Sequence, residues 1–196
     1  MVIGLPEIVI PSQVCQECVV SKQHRSQFPQ GKSWRAKNVL EFIHSDICGP
    51  IKPSSNVGKK YLITFIDDYT RKTLVYFLQE KSEAFGIFKS FKTRVENKTG
   101  KTIKTLRTYR GGEYCSKTFE HFCINHGIRR ELTSAYTPQQ NGVSERKNRT
   151  ILNMVRSLLR RGRIPKSFWP EAVNWSIHVL NRSLTFYVQN MTPEEA

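Results

Sequence analysis

Two carboxylates and the motif between them carry the chemical interest of this sequence. Asp46 stands in His44-Ser45-Asp46-Ile47, where an apolar run that reads as a strand comes to its end. Glu145 follows Thr137-Pro138-Gln139-Gln140-Asn141-Gly142, at the head of a long helical pattern. Between them lies Thr108-Tyr109-Arg110-Gly111-Gly112-Glu113-Tyr114. Carboxylates are the natural hard ligands for Mg²⁺, and phosphoryl transfer is the chemistry such ions assist. Taken singly, each acid has a plainer reading. An Asp at a strand end is usually a turn residue, and a Glu on a helix is usually solvated. Only their combination and spacing lift them.

The elements that must position these residues are legible from periodicity. Val39–Ile47 reads as a strand ending near Asp46, and Lys60–Asp67 as a second. Asp68-Tyr69-Thr70-Arg71 makes a turn into a third strand, Thr73–Leu78, so these two form a hairpin. Ser82–Asn97 has Phe85, Phe88, Phe91 and Val95 at helical spacing, with Ser82 as cap and Gly100 as stop. Ile103–Thr108 and Ile128–Leu132 read as strands on either side of a short helix, Lys117–Asn125. Ser134–Gly142 is a loop, Val143–Arg161 a long helix, and a last helix starts near Pro170. A hairpin followed by alternating helices and strands predicts a mixed sheet covered by helices. Asp67 and Asp68 fall in the hairpin turn, where Asp is favoured for local hydrogen bonding, and are read as structural.

Charge points to the partner. Lys and Arg number 31 against 16 acids, a net charge of +15 in 196 residues. That is the electrostatic footprint of a phosphate-backbone binder. Residues 139–166 hold eight basic residues and one acid, while residues 167–196 hold one basic residue and three acids. The excess therefore belongs to one segment. At 100° per residue, Arg156, Arg149 and Arg160 lie about 20°, 40° and 60° round from Glu145. Ile151, Leu152, Val155, Leu158 and Leu159 fall together on one arc, read as the core face. Guanidinium forks suit phosphate, so this stripe is read as a DNA-binding face; a merely solvated basic face is the plainer alternative. No basic amphipathic helix with a Trp/Phe face supports a membrane surface as partner.

The three motifs together resemble the integrase region of Ty1/copia-type retrotransposons, over residues from about 15 to 196. In that family a strand-end Asp, an Asp before Arg-Gly-Gly-Glu, and a Glu after Pro-Gln-Gln-Asn-Gly form the catalytic set, the last two separated by 35 residues. Here 35 residues separate Tyr109 from Glu145. The resemblance implies an RNase H-like α/β fold, a five-stranded mixed sheet flanked by helices. It assigns Asp46 and Glu145 as catalytic ligands of Mg²⁺ or Mn²⁺ in a two-metal site, with Asp46 bridging. It also implies that Tyr109 occupies the place of the second Asp. A phenol with a reference pKa near 10 is neutral at pH 7 and does not replace a carboxylate. Glu113 is part of the family pattern and so is no compensating change. The resemblance brings the loop before Glu145 to DNA ends, adding Gln139, Gln140, Asn141 and Arg146 to Arg149, Arg156 and Arg160 as DNA-binding candidates.

Cys15 and Cys18 form a Cys-x-x-Cys pair, which the resemblance makes half of a zinc site. Structural zinc takes four ligands, and residues 1–14 contain no His, so Zn²⁺ is not expected here. Cys48, Cys115 and Cys123 are read as small buried residues, and Trp169 and Trp175 as core. The domain reading is a zinc-module remnant over 1–20, a linker over 21–38, and a C-terminally truncated catalytic core over 39–196. The expected function is DNA integration, the joining of element ends to target DNA, inactivated at Tyr109. The alternatives are a non-catalytic DNA- or RNA-binding fragment and a decayed element remnant. Homo-oligomerisation is left open, and no membrane partner is expected. Five cysteines without an evident framework fit an intracellular setting, and integration requires the nucleus.

Overall fold

The computed structural model describes residues 34–133, 141–188 and 190–196. Arg35–Ala196 forms one compact unit. Its strands are β1 (Phe42–Cys48), β2 (Tyr61–Asp67), β3 (Thr73–Leu78), β4 (Thr105–Thr108) and β5 (Arg129–Leu132). Its α-helices are α1 (Ala84–Thr99), α2 (Lys117–Asn125), α3 (Gly142–Arg161) and α4 (Trp169–Asn181).

The sheet order is β3-β2-β1-β4-β5. β1 pairs antiparallel with β2, whereas β1 with β4 and β4 with β5 are parallel. The sheet is therefore mixed, as expected from a hairpin followed by crossovers. β1 is central, with neighbours on both sides, and β2 beside it is almost entirely buried. Strands covered on both faces read as near-continuous apolar runs, which is why β2 is Tyr-Leu-Ile-Thr-Phe-Ile.

Strand alternation divides the core in two. Ile43, Ile47, Ile63 and Phe65 face α1 and α2, where Phe88, Phe91, Val95 and Phe119 meet them. Phe65 stacks on Phe91 at 4.1 Å between ring centroids, and Phe88 on Phe119 at 5.1 Å. Leu62 and half-buried Cys48 face the other way, towards Ile151, Val155 and Leu159 of α3 and Trp169, Val173 and Ile177 of α4. Asp46 lies two residues from Cys48 on β1, so it points to the α3 side.

The helix boundaries follow local chemistry. α1 is preceded by a 3₁₀ turn, Lys81–Glu83, and the Glu83 carboxylate accepts the N–H groups of Gln79 and Glu80. Glu83 thus does the capping expected of Ser82, whose hydroxyl donates to Glu80 instead. Gly100 ends α1 at φ +65°, its N–H donating to the Glu96 carbonyl. At α2, the Ser116 hydroxyl accepts from the Phe119 N–H. The hairpin turn is tied down by Asp67, which accepts from Leu40 and Thr70, and by Asp68, which accepts from Ala36 and pairs with Arg71. Both acids are structural.

Two core expectations are corrected. Trp169 is buried at 2% exposure, but Trp175 is 57% exposed. Six residues along a helix turn the side chain about 120°, enough to carry Trp175 off the face that Trp169 buries. Cys123 is buried and Cys48 half-buried, but Cys115 is exposed, in the turn that precedes α2. Cys15, Cys18 and the zinc-module and linker readings up to residue 33 lie outside the described residues. So do Gln139 and Gln140. Among the described residues no helix is long and apolar enough to cross a membrane.

Candidate active site

Asp46 projects from the middle of the sheet towards α3. Its strand neighbour in register is Thr64 on β2. One turn after Glu145, Asn148 reaches down from α3 and joins the two strands: its amide N–H donates to Asp46 Oδ2 at 2.9 Å, and its Oδ1 accepts from the Thr64 hydroxyl at 3.0 Å. Asn148 is buried and both ends of its side chain are used, so the Asp46 carboxylate is held in one orientation. Sequence reasoning missed Asn148. Its signal was present, a polar residue at i+3 from Glu145 on an otherwise apolar arc.

Burial pushes the Asp46 carboxyl up to about 6; the Asn148 hydrogen bond opposes the rise and the charge of Glu145 adds to it. Glu145 is exposed in the first turn of α3. Asp46 therefore holds its charge at a cost that a neighbouring cation would reduce.

Tyr109 comes directly after β4, the parallel neighbour of β1. Its hydroxyl donates to the Glu113 carboxylate. The ring packs edge-on against buried Tyr114 and lies over Gly111, where any Cβ would collide with it. Lys81 pairs with the same Glu113 oxygen at 3.7 Å. Burial raises the Tyr109 phenol far above its ordinary range, with the Glu113 hydrogen bond, the Glu113 charge and the Asp46 charge acting in the same direction. Tyr109 is thus a neutral hydrogen-bond donor beside Asp46, and Glu113 is engaged by Tyr109 and Lys81. Tyr114, another residue the sequence reading passed over, is fully buried and shares a hydrogen bond of 2.9 Å with Ser45 on β1. It fixes the segment after β4 to the strand that carries Asp46.

Among the described residues no three His, Cys, Asp or Glu side chains are grouped to hold a metal ion. The charge of Asp46 is felt at Tyr109, and that of Glu145 at Asp46.

The DNA-binding candidates divide. Arg149, Arg156 and Arg160 are exposed along α3 on the Glu145 side, while Ile151, Val155 and Leu159 are buried and Leu152 and Leu158 half-buried. Arg156 and Arg160 also rim a groove of about 810 Å³ with Lys52, Arg163 and Lys166. Arg146 is exposed but lines a different cavity, beside Arg71. Asn141 is 2% exposed, and its amide donates to the Ser45 carbonyl at 3.3 Å. It anchors the start of α3 to β1 and does not present itself at the surface.

Residues 36–138 match the integrase core domain family. The chain is 50% identical over 169 residues to the retrovirus-related Pol polyprotein from transposon TNT 1-94 of Nicotiana tabacum, covering 86% of this chain and 13% of that one. It is 34% identical over 180 residues to the corresponding polyprotein from transposon RE2 of Arabidopsis thaliana, covering 91% and 12%. The chain thus spans about an eighth of the length of these curated relatives. In three dimensions it is similar to a chain of the simian T-cell lymphotropic virus intasome in complex with a PP2A regulatory subunit, with TM-score 0.67, 18% identity and coverage of 86% of this chain and 58% of that one. It is also similar to the HTLV-2 integrase catalytic core domain in complex with magnesium, with TM-score 0.61, 17% identity and coverage of 82% and 98%. These neighbours establish the RNase H-like fold. With more than half of its length matched to the family and its polyprotein relatives those of transposons, the chain belongs to the integrase core domain family, in its retrotransposon branch.

Proposed function

We propose that this chain is the core segment of a retrotransposon integrase that keeps a DNA-binding face along α3 and has lost phosphoryl transfer at Tyr109. The observation that carries the reading is the state of Tyr109, a neutral phenol beside Asp46 whose hydroxyl is given to Glu113. In the reaction of such a core, a water or DNA 3′-hydroxyl oxygen attacks phosphorus in line, and the opposite P–O bond breaks with its oxygen leaving. Divalent ions supply charge neutralisation at the attacking and leaving oxygens. Asp46 and Glu145 would hold one Mg²⁺ or Mn²⁺ ion, which would supply charge neutralisation there. The donor set does not fit a pair, because position 109 offers no carboxylate. No step of the transfer is therefore assigned to this chain.

What remains is recognition of DNA. Arg149, Arg156 and Arg160 present three guanidinium forks beside Glu145, and each suits a backbone phosphate. Element ends and target DNA are the partners this reading implies, and chromosomal target DNA places the protein in the nucleus. The net charge of +15 favours retained binding over the reading as an inert remnant. The test is fluorescence anisotropy with duplex DNA across a salt series. The unmodified chain binds with a steep negative salt slope, and replacing Arg156 and Arg160 together by Ala reduces that slope by about two phosphates' worth, roughly 0.9 each. Binding that ignores salt, or a double variant indistinguishable from the parent, contradicts the assignment.

A further inference from the structure

A second basic site lies away from the α3 stripe. Arg71 from the hairpin turn, Arg146 and Lys147 from α3, and Thr185, Phe186 and Tyr187 from the segment after α4 enclose a cavity of about 260 Å³. No acidic side chain lines it among the described residues. The nearby counter-charge is Asp68, whose Oδ1 is already shared between Arg71 at 3.1 Å and His44 at 3.0 Å and whose Oδ2 accepts the Ala36 N–H. Arg35 adds a further positive charge at the edge. These cations repel one another. Two buried polar atoms on the cavity residues, Arg71 Nε and Thr185 Oγ, have no hydrogen-bond partner. Excess positive charge with unsatisfied donors is the profile of a site that expects an anion.

The aromatic residues give the anion a second feature. Tyr187 is fixed, with its carbonyl accepting from Arg35 at 2.6 Å and its ring carrying Arg71 at 4.6 Å and Arg35 at 5.5 Å. A bridge between Thr185 and Val188 closes the turn. Phe186, between them, is 96% exposed, an open aromatic face at the mouth of the cavity. A lone exposed Phe is unremarkable. One mounted on an anchored turn beside a cluster of cations, in a cavity that no described acid lines, is the combination that binds single-stranded nucleic acid, phosphate on the cations and base on the ring.

We propose that this cavity is a nucleotide subsite for single-stranded nucleic acid: the phosphate is held by Arg71, Arg146 and Lys147, and the adjoining base stacks on Phe186. The proposal stands independently of the catalytic reading and of the α3 stripe, and it explains why Arg146 points away from that stripe.

The test compares the full chain with its Phe186→Ala and Lys147→Gln variants by anisotropy, using a short oligothymidine DNA, the oligouridine RNA of equal length, an abasic DNA strand and a duplex. Phe186 is solvent-exposed, so its truncation leaves the fold intact. Phe186→Ala is expected to weaken binding of the base-bearing single strands by about five- to a hundredfold, the range one base-on-aromatic stack supplies. It is expected to leave the abasic strand and the duplex unchanged. Lys147→Gln weakens the base-bearing and abasic single strands alike, and whichever of DNA and RNA binds more tightly names the natural source. An unaltered affinity of Phe186→Ala for both base-bearing strands overturns the proposal, as does an equal loss on the abasic strand. Loss of duplex binding on replacing Arg156 and Arg160, with the single-strand results unchanged, separates the fate of the α3 reading from this one.

Discussion

Tyr109 shapes its site through two properties at once: it is a neutral phenol next to Asp46, and it places a ring over Gly111 with its hydroxyl committed to Glu113. The acids nearby are Asp46, half-buried, and Glu145, exposed. Asp46 predicts a pH signature. Its carboxyl titrates near 6 in the fold against 3.8 in the unfolded chain. Between about pH 4 and 6 the folded state therefore binds more protons than the unfolded one, so the Asp46 contribution to stability falls as pH rises through that window. Above about pH 6 the penalty is complete. Asp46→Asn should remove that slope and raise stability near neutral pH by on the order of 2–3 kcal/mol, read by urea unfolding at a series of pH values. A variant whose pH dependence matches that of the parent would show that Asp46 is better solvated than its surroundings indicate.

Helix α3 is where element and site meet. It buries Ile151, Val155 and Leu159, exposes the arginine stripe, and sends Asn148 to both central strands. Truncating Asn148 to Ala takes the amide donor from the Asp46 carboxylate and leaves the Thr64 hydroxyl only the Asp46 carbonyl at 3.5 Å, at a cost of about 1–3 kcal/mol. The same change should move the Asp46 titration upward, because the one side-chain hydrogen bond that favours its charged form is gone. Chemical denaturation checks the first effect and a carboxyl NMR titration the second. An unchanged titration would mean that Asn148 serves packing alone. The strands, α2 and the α3 arc were legible because their residues alternate or recur at helical spacing, and boundaries agreed to within a few residues. Asn148 and Tyr114 were not legible. A hydrogen bond between residues 102 positions apart, as from Asn148 to Asp46, leaves no trace in local periodicity. Asn141 misled for a related reason: a polar residue in a polar loop looks solvent-facing, yet here it spans to the Ser45 carbonyl.

At the scale of the molecule, a mixed sheet carries a packed layer on each face, with Asp46 on the α3 side and Tyr109 packed against the α1–α2 core. The two layers differ in how they are filled. The α1–α2 side is an aromatic stack, and Phe88→Ala should cost about 3–5 kcal/mol. Trp175 lies outside both layers, so Trp175→Ala should change stability by no more than about 0.5 kcal/mol. Equal losses from the two would contradict the layer assignment; both are read from thermal or urea unfolding. The distinction was invisible in sequence, since Trp169 and Trp175 sit in one apolar helix and differ only in which arc the tertiary packing covers. The site itself was legible to a greater degree. Asp46, Tyr109 and Glu145 stand out by ordered motifs and spacing, and Asp46 interacts electrostatically with each of the other two. The engagement of Glu113 by Tyr109 and Lys81 depends on side-chain direction, which spacing does not encode.

The central claim is that the Tyr109 side chain alone silences phosphoryl transfer in this core. The direct measurement is a strand-transfer assay with Mg²⁺ or Mn²⁺, on element-end DNA and a target duplex, run on the unmodified chain beside its Tyr109→Asp variant. The account predicts joined product from the variant alone, with no product from the parent under the same conditions. Joining by the unmodified chain would contradict it, because a neutral phenol would then be standing where a metal-binding carboxylate was argued to be indispensable.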